Sequence, residues 1–272
     1  MKKLLASVVV LAFCVSLVQA GSLTLRPMLG YGIGTGKSVS GSDYEVDSAG
    51  EKLKNENLYY SAGSGIKIGV GLDNEVSENV ALGFDLGYSI GTKKEIDKVK
   101  LPTYSEVTEL KTSFIPVSAT LKVKTTICKY TPFAGFGPTL VLVAKSIRTE
   151  IETDTSGGMT NTEEEETETT YKLGLGYHGL AGVEFGLSDN MVLICQLRVD
   201  QVSLKADKST ITKATENGVD QLSGMDIRDK ETVYEEDDTA DDSTKTGSAD
   251  IDNTYTIPAN SLTVGVGVGI KF

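Results

Sequence analysis

The sequence predicts an all-β chain, with about eight amphipathic strands closed into an antiparallel up-and-down barrel that crosses a membrane. Three observations predict it. Apolar residues alternate with small or polar ones in run after run, each roughly the ten residues that a tilted membrane strand needs. The connections between runs alternate long and short. The last run sets Leu262, Val264, Val266, Val268, Ile270 and Phe272 on one face, with Thr263, Gly265, Gly267, Gly269 and Lys271 on the other. In a soluble chain so regular an apolar terminus would be an aggregation edge. It makes sense where the face meets lipid and the edge pairs with another strand of the same chain.

Residues 1–20 read as a secretory leader: Lys2 and Lys3, an apolar stretch, then Val18, Gln19 and Ala20 as a small-residue cleavage site. The apolar stretch is short for a membrane anchor and no basic stop follows it. The barrel then occupies residues 21–272. Its first run sets Leu23, Leu25, Leu29, Tyr31 and Ile33 against Thr24, Arg26, Met28, Gly30 and Gly32. A polar stretch, 36–57, leads to the second run, with Ile66, Ile68, Val70 and Leu72 opposite Lys67, Gly69 and Gly71. A short turn, 73–79, gives the third run of Leu82, Phe84, Leu86, Tyr88 and Ile90 against Gly83, Asp85, Gly87 and Ser89. After the polar stretch 92–110, the fourth run opposes Ile115, Val117, Ala119 and Leu121 to Ser118, Thr120 and Lys122.

A tight turn near residues 127–129 gives the fifth run, 130–144, in which Phe133 and Val141 fall on the otherwise polar face. The polar stretch 146–168 precedes a sixth, regular run: Leu173, Leu175, Tyr177, Ala181, Val183 and Phe185 oppose Lys172, Gly174, Gly176, His178, Gly182 and Glu184. The turn 188–190 is short. The seventh run sets Met191, Leu193, Cys195, Leu197 and Val199 against Gln196, Arg198 and Asp200. A long polar stretch, 206–258, leads to the terminal run. Prolines 27, 116, 132 and 138 each remove a ladder donor and are expected at bulges.

Crowding decides which face is outside. The Val, Leu, Ile, Tyr and Phe face would overfill a narrow interior, whereas Gly, Ser, Thr and scattered charges suit one. A lipocalin-like soluble barrel, greasy face inward, is the alternative, but it gives no reason for long connections to sort to one end. With both termini in the periplasm, the long stretches become extracellular loops. Tyr60, Tyr88 and Tyr171 are then expected in one interfacial girdle, and Phe185 and Phe272 in the other.

This pattern, loop order and ending resemble the small eight-stranded bacterial outer-membrane barrels, the OmpA-like, OmpX-like and opacity-type porin family of the Gram-negative envelope. The resemblance covers nearly all of the chain after the leader. It implies that Phe272 belongs to a C-terminal assembly signal read by the barrel assembly machinery, and that the chain is embedded in outer-membrane lipid. It carries no catalytic or binding motif, and no peptidoglycan-binding domain is expected after the barrel.

The inward faces carry Arg26, Lys67, Asp85, Lys122, Glu184, Arg198, Asp200 and Lys271. Isolated buried charge is costly, so opposite charges there are expected to pair. A packed polar core is the favoured reading, because side chains fill a barrel of about eight strands. The many inward glycines leave a charged constriction in a narrow solute or ion pore as the alternative. His178 has no Ser beside it and no second His, so it is read as a hydrogen-bonded lumen residue and the chain as no enzyme. The Cys and His residues lack metal-ligand spacing, and nothing requires a cofactor. Cys128 and Cys195 are expected free.

A net charge of −12 argues against nucleic acid as a partner. The acid is concentrated in the stretches 146–168 and 206–258, which lack any EF-hand spacing. They read as a cation-holding fringe, as a contact surface for a basic host, phage or envelope protein, or as a mobile solvated fringe. Mobility is the expectation, because so few apolar residues cannot offset the entropy of ordering. The function expected is a structural or surface-interaction role through acidic extracellular loops.

Overall fold

The computed structural model describes residues 22–36, 38–235 and 249–272, so the leader read at residues 1–20 lies outside it. In chain order the strands are β1 (Leu23–Gly34), β2 (Ser38–Val46), β3 (Lys52–Tyr60), β4 (Gly65–Ser77), β5 (Val80–Gly91), β6 (Lys94–Lys100), β7 (Tyr104–Lys124) and β8 (Tyr130–Asp154). They continue with β9 (Asn161–Tyr171), β10 (Gly174–Ser188), β11 (Met191–Glu216), β12 (Val219–Asp220), β13 (Glu231–Glu235), β14 (Asp250–Asn253), β15 (Thr256–Pro258) and β16 (Ser261–Lys271). Among the described residues no helix is long and apolar enough to cross a membrane.

Eight of these strands form a ring. The pairings run β1–β4, β4–β5, β5–β7, β7–β8, β8–β10, β10–β11 and β11–β16, then return from β16 to β1, all antiparallel. At the seam, the Phe272 backbone N–H donates to the Leu23 carbonyl at 2.9 Å. The alternation expected from the sequence holds around the ring. Leu29, Ile33, Ile68, Leu86, Phe136, Leu175, Leu197 and Val264 are exposed on the outside, while Arg26, Ser89, Lys122, Thr139 and His178 are buried within. Pro116 sits at a register shift between β7 and β8, as a bulge proline does.

The polar stretches 36–57, 92–110, 146–168 and 206–258 were expected as loops, and in large part they are strands. The wall continues upward through them. The lower part of β8 pairs with β10 and its upper part with β9. The lower part of β11 likewise pairs with β10 and its upper part with β9. In the same way β7 leaves β5 for β6. The loops expected at 146–168 and at the start of 206–258 are therefore corrected to strands. These segments are rich in Thr, which suits a pleated sheet, and Lys145–Glu168 and Lys213–Glu164 pair along them. Their backbone groups are satisfied by a ladder that already exists below. Residues 236–248 of the last stretch lie outside the described residues.

Two apolar clusters cap the interior. At the turn end, Phe133, Leu180, Val192 and Ile194 pack with Met28. Where the ring meets the collar, the wall above it formed by β6, β9 and the upper parts of β7, β8 and β11, Tyr60, Phe114, Val141, Tyr171, Val202 and Leu204 pack with Ala62, Ala144, Ala206 and Ala259. Tyr60 and Tyr171 are thus corrected from girdle to interior. Each ends a strand just before a corner, at residues 61–64 and 172–173, where alternation is reset. Tyr60 Oη donates to Thr112 Oγ1 at 2.6 Å, and the Tyr171 and Ser146 hydroxyls lie 2.7 Å apart. Tyr88 remains exposed, as expected of a girdle residue.

Leu204 is wholly buried in the upper cluster. Leu204→Ala should lower stability by about 2–5 kcal/mol through lost burial and the cavity left behind. The measurement is the urea midpoint for loss of the heat-modifiable folded band. A parental midpoint would mean that this layer is not packed.

Candidate functional site

The ring brings five strands' charges together at mid-height. Arg26 on β1 donates from Nη2 to Asp85 Oδ1 on β5 at 2.8 Å. Its Nε lies 2.7 Å from Asp73 Oδ2 on β4 without hydrogen-bond alignment, so that contact is electrostatic. Lys122 on β7 donates to both Asp73 oxygens, at 2.9 and 2.7 Å. On β11, Arg198 Nε donates to Asp200 Oδ1 at 2.7 Å, and Lys67 on β4 donates to Asp200 Oδ2 at 3.1 Å. Arg198 also reaches Asp85 at 3.8 Å, which joins the two groups.

Neutral residues extend the network to the other three ring strands. Lys67 Nζ donates to Ser261 Oγ on β16 at 2.5 Å. Arg198 Nη2 donates to Ser118 at 2.9 Å and to Thr139 on β8 at 3.3 Å. His178 on β10 has both ring nitrogens occupied, Nε2 by Thr120 and Nδ1 by Thr139, each at 2.9 Å. Every ring strand therefore contributes to one connected network. Held this way, the imidazole links β7, β8 and β10.

Of the residues singled out from sequence, Arg26, Lys67, Asp85, Lys122, Arg198 and Asp200 meet. Glu184 and Lys271 are half-buried and make no ion pair within 4 Å among the described residues. Glu184 acts on Arg26 only at longer range. Sequence reading missed Asp73, which it placed in a turn. The signal was parity, since Asp73 continues the Lys67, Gly69, Gly71 face. Lys124 and Glu75 pair one step further toward the turns.

The inward glycines make room for this network. A Cβ at position 71 would lie 2.6 Å from Arg26 Nη2 and against Asp85, and one at position 83 would lie 2.7 Å from Asp73 Oδ1. Beside the network lies a cavity of about 90 Å³ lined by Lys67, Arg198, Asp200, Gln196, Met28, Phe114 and Gly69 among others. That is room for a few waters. Cys128 and Cys195 are free and exposed.

Above the ring the inner wall turns acidic. Glu106, Glu152, Glu163 and Glu216 lie directly opposite one another across β7, β8, β9 and β11. A polar cleft of about 270 Å³ opens there, lined by Glu150, Glu152, Glu163, Glu165, Glu216 and Gln221 among others.

Residues 5–215 match the family described as outer membrane protein beta-barrel domain. No curated protein matches the sequence. The chain is similar to the outer membrane protein OprG from Pseudomonas aeruginosa, at 12% identity and TM-score 0.44 over 93% of this chain and 96% of that one. It is similar also to neisserial surface protein A, at 10% identity and TM-score 0.38 over 92% and 96%. A major outer membrane protein from Thermus thermophilus gives 13% identity and TM-score 0.35 over 92% and 99%.

Removing one partner of a buried pair strands the other charge. Lys122→Ala should therefore cost about 3–5 kcal/mol. The Asp73→Ala/Lys122→Ala double variant should lose less than the sum of the single changes, since Arg26 keeps Asp85. Urea titration of the folded band reads both, and strict additivity would mean that the pair is not coupled.

Proposed function

The chain belongs to the outer membrane protein beta-barrel domain family, and from that premise we propose that it is a filled outer-membrane barrel serving the cell surface rather than transport. In this reading the ring is a closed, antiparallel, up-and-down barrel in outer-membrane lipid. Both termini and the short turns face the periplasm, and the acidic collar stands outside. Phe272 presents the assembly signal to the barrel assembly machinery.

The observation that carries the reading is the filled lumen, in which a network reaching all the ring strands lies between two apolar clusters. Side chains that fasten the wall occupy the space a solute would need. The role left is at the surface. The collar presents its carboxylates on a paired sheet, a fit for a basic host, phage or envelope protein. It has no affinity for nucleic acid, whose charge it shares. With both His178 nitrogens engaged by threonines, no acid–base chemistry is assigned to the barrel.

A narrow pore is the second reading, favoured by the cavity beside Lys67, Arg198 and Asp200. Planar bilayers separate the two. The filled barrel gives no stable conductance. Reproducible conductance whose ion selectivity changes in Arg198→Ala would replace it with the pore.

The surface role has its own readout. Exposed charge is screened within about 10 Å at 0.1 M salt. Binding of polylysine to the purified protein should weaken as salt rises, and weaken further in Glu163→Gln/Glu216→Gln. Binding indifferent to both would remove the collar as a basic-partner surface.

A further inference from the structure

On the inner face of β7, Tyr104, Glu106 and Thr108 follow one another at every second position. The register with β8 is unbroken from Tyr104–Asp154 to Ile115–Val143, so Glu106 faces Glu152 and Thr108 faces Glu150. One carboxylate oxygen each from Glu106, Glu150 and Glu152 lies within 4.8 Å of the others. Two oxygens bound to one calcium ion at about 2.4 Å each are at most about 4.8 Å apart. The three glutamates are therefore already within reach of a single ion.

Thr108 is a second and independent observation. It is 1% exposed and its Oγ1 has no hydrogen-bond partner among the described residues. A buried hydroxyl without a partner is rare and costly. Strand parity sets this one on the carboxylates' own face, opposite Glu150 and two residues from Glu106. Among the described residues this hydroxyl is left without another partner.

We propose that Glu106, Glu150 and Glu152, completed by Thr108 Oγ1 and water, form a divalent-cation site that takes calcium. All the donors are hard oxygens, and they come from two strands rather than one tight loop. That arrangement suits calcium's variable coordination better than the strict octahedron of magnesium. The electrostatics agree. Glu106 and Glu152 stand directly opposite each other across β7 and β8. Like charges directly opposite in a sheet repel, and an ion between them converts that repulsion into a cross-strand tie. Tyr104 Oη donates to Glu106 Oε2 at 2.9 Å, which holds that ligand in place. The site goes beyond the surface role and stands whether or not the lumen conducts.

The test uses the full barrel folded in detergent, with terbium as a calcium surrogate. The chain contains no tryptophan, so sensitised emission must come from tyrosine, and Tyr104 adjoins the site. Saturable emission is expected, displaced by calcium with an affinity on the order of 10⁻⁴ M, as in extracellular calcium modules. Glu150→Gln and Glu106→Gln should each weaken calcium binding about tenfold or more by calorimetry, and Thr108→Val several-fold. Tyr104→Phe should dim the emission while calcium still binds. The heat-modifiable band confirms that each variant is folded, and if Thr108→Val fails to fold, the two glutamine variants decide. Emission that calcium does not displace, or parental affinity in both glutamine variants, overturns the site.

Discussion

The structure depends on one constraint: charged side chains turned into a narrow interior must find opposite charge there. An unpaired ion in such a place is far more expensive than a paired one. Arg26, Asp73, Asp85 and Lys122 satisfy one another on one side, and Lys67, Arg198 and Asp200 on the other, with the Arg198–Asp85 contact between them. The partners sit on different strands, so pairing fixes which strand stands beside which and at what height. A register slip of one residue turns every charge outward into lipid. Backbone ladders alone tolerate other registers. This set of side chains does not.

The glycines follow from the same constraint. A run such as Gly69, Gly71, with Gly83 and Gly87 on the next strand, reads in sequence as empty space and hence as a pore. Arg26 and Lys122 take up much of that space. Where a side chain at position 71 would stand, the guanidinium meets Asp85. Small residues on one strand and long ones on its neighbour interdigitate as a core does. The apolar clusters above and below then shield the ion pairs from bulk water, where each would be worth much less.

Much of the ring was legible because period-2 alternation survives wherever a strand has lipid on one side and lumen on the other. Phe133 and Val141 are instructive: they broke the expected pattern and are indeed buried. Legibility failed where alternation was interrupted or its two faces stopped differing. Tyr60 and Tyr171 were misplaced because corners at residues 61–64 and 172–173 reset the parity. Val192, Ile194 and Leu204 share the inward parity of Gln196, Arg198 and Asp200, and they are buried despite being apolar. The collar was read as loops because Thr and Glu on both faces leave no amphipathic signal. Its strands exist because the ring below supplies the register. Asp73 was lost to an assumed turn, while Glu184 and Lys271 lie on the predicted face but not within reach of a partner, which no one-dimensional pattern encodes.

The same chemistry serves opposite ends in the two halves of the wall. In the lumen, carboxylates stand beside guanidinium and ammonium groups, and the field they send outward is nearly cancelled at short range. In the collar, Glu106, Glu152, Glu163 and Glu216 face one another across adjacent strands, and cations such as Arg148 and Lys213 only partly offset the glutamates around them. Like charges so placed weaken a sheet by themselves. The collar holds because its ladders continue from a ring fastened underneath, so stability stored below is what permits uncompensated charge above. Water there screens the repulsion at short distance but leaves a negative surface felt by anything cationic that approaches. The ion pairs that fill the interior thus support a wall whose upper part carries an excess of carboxylates.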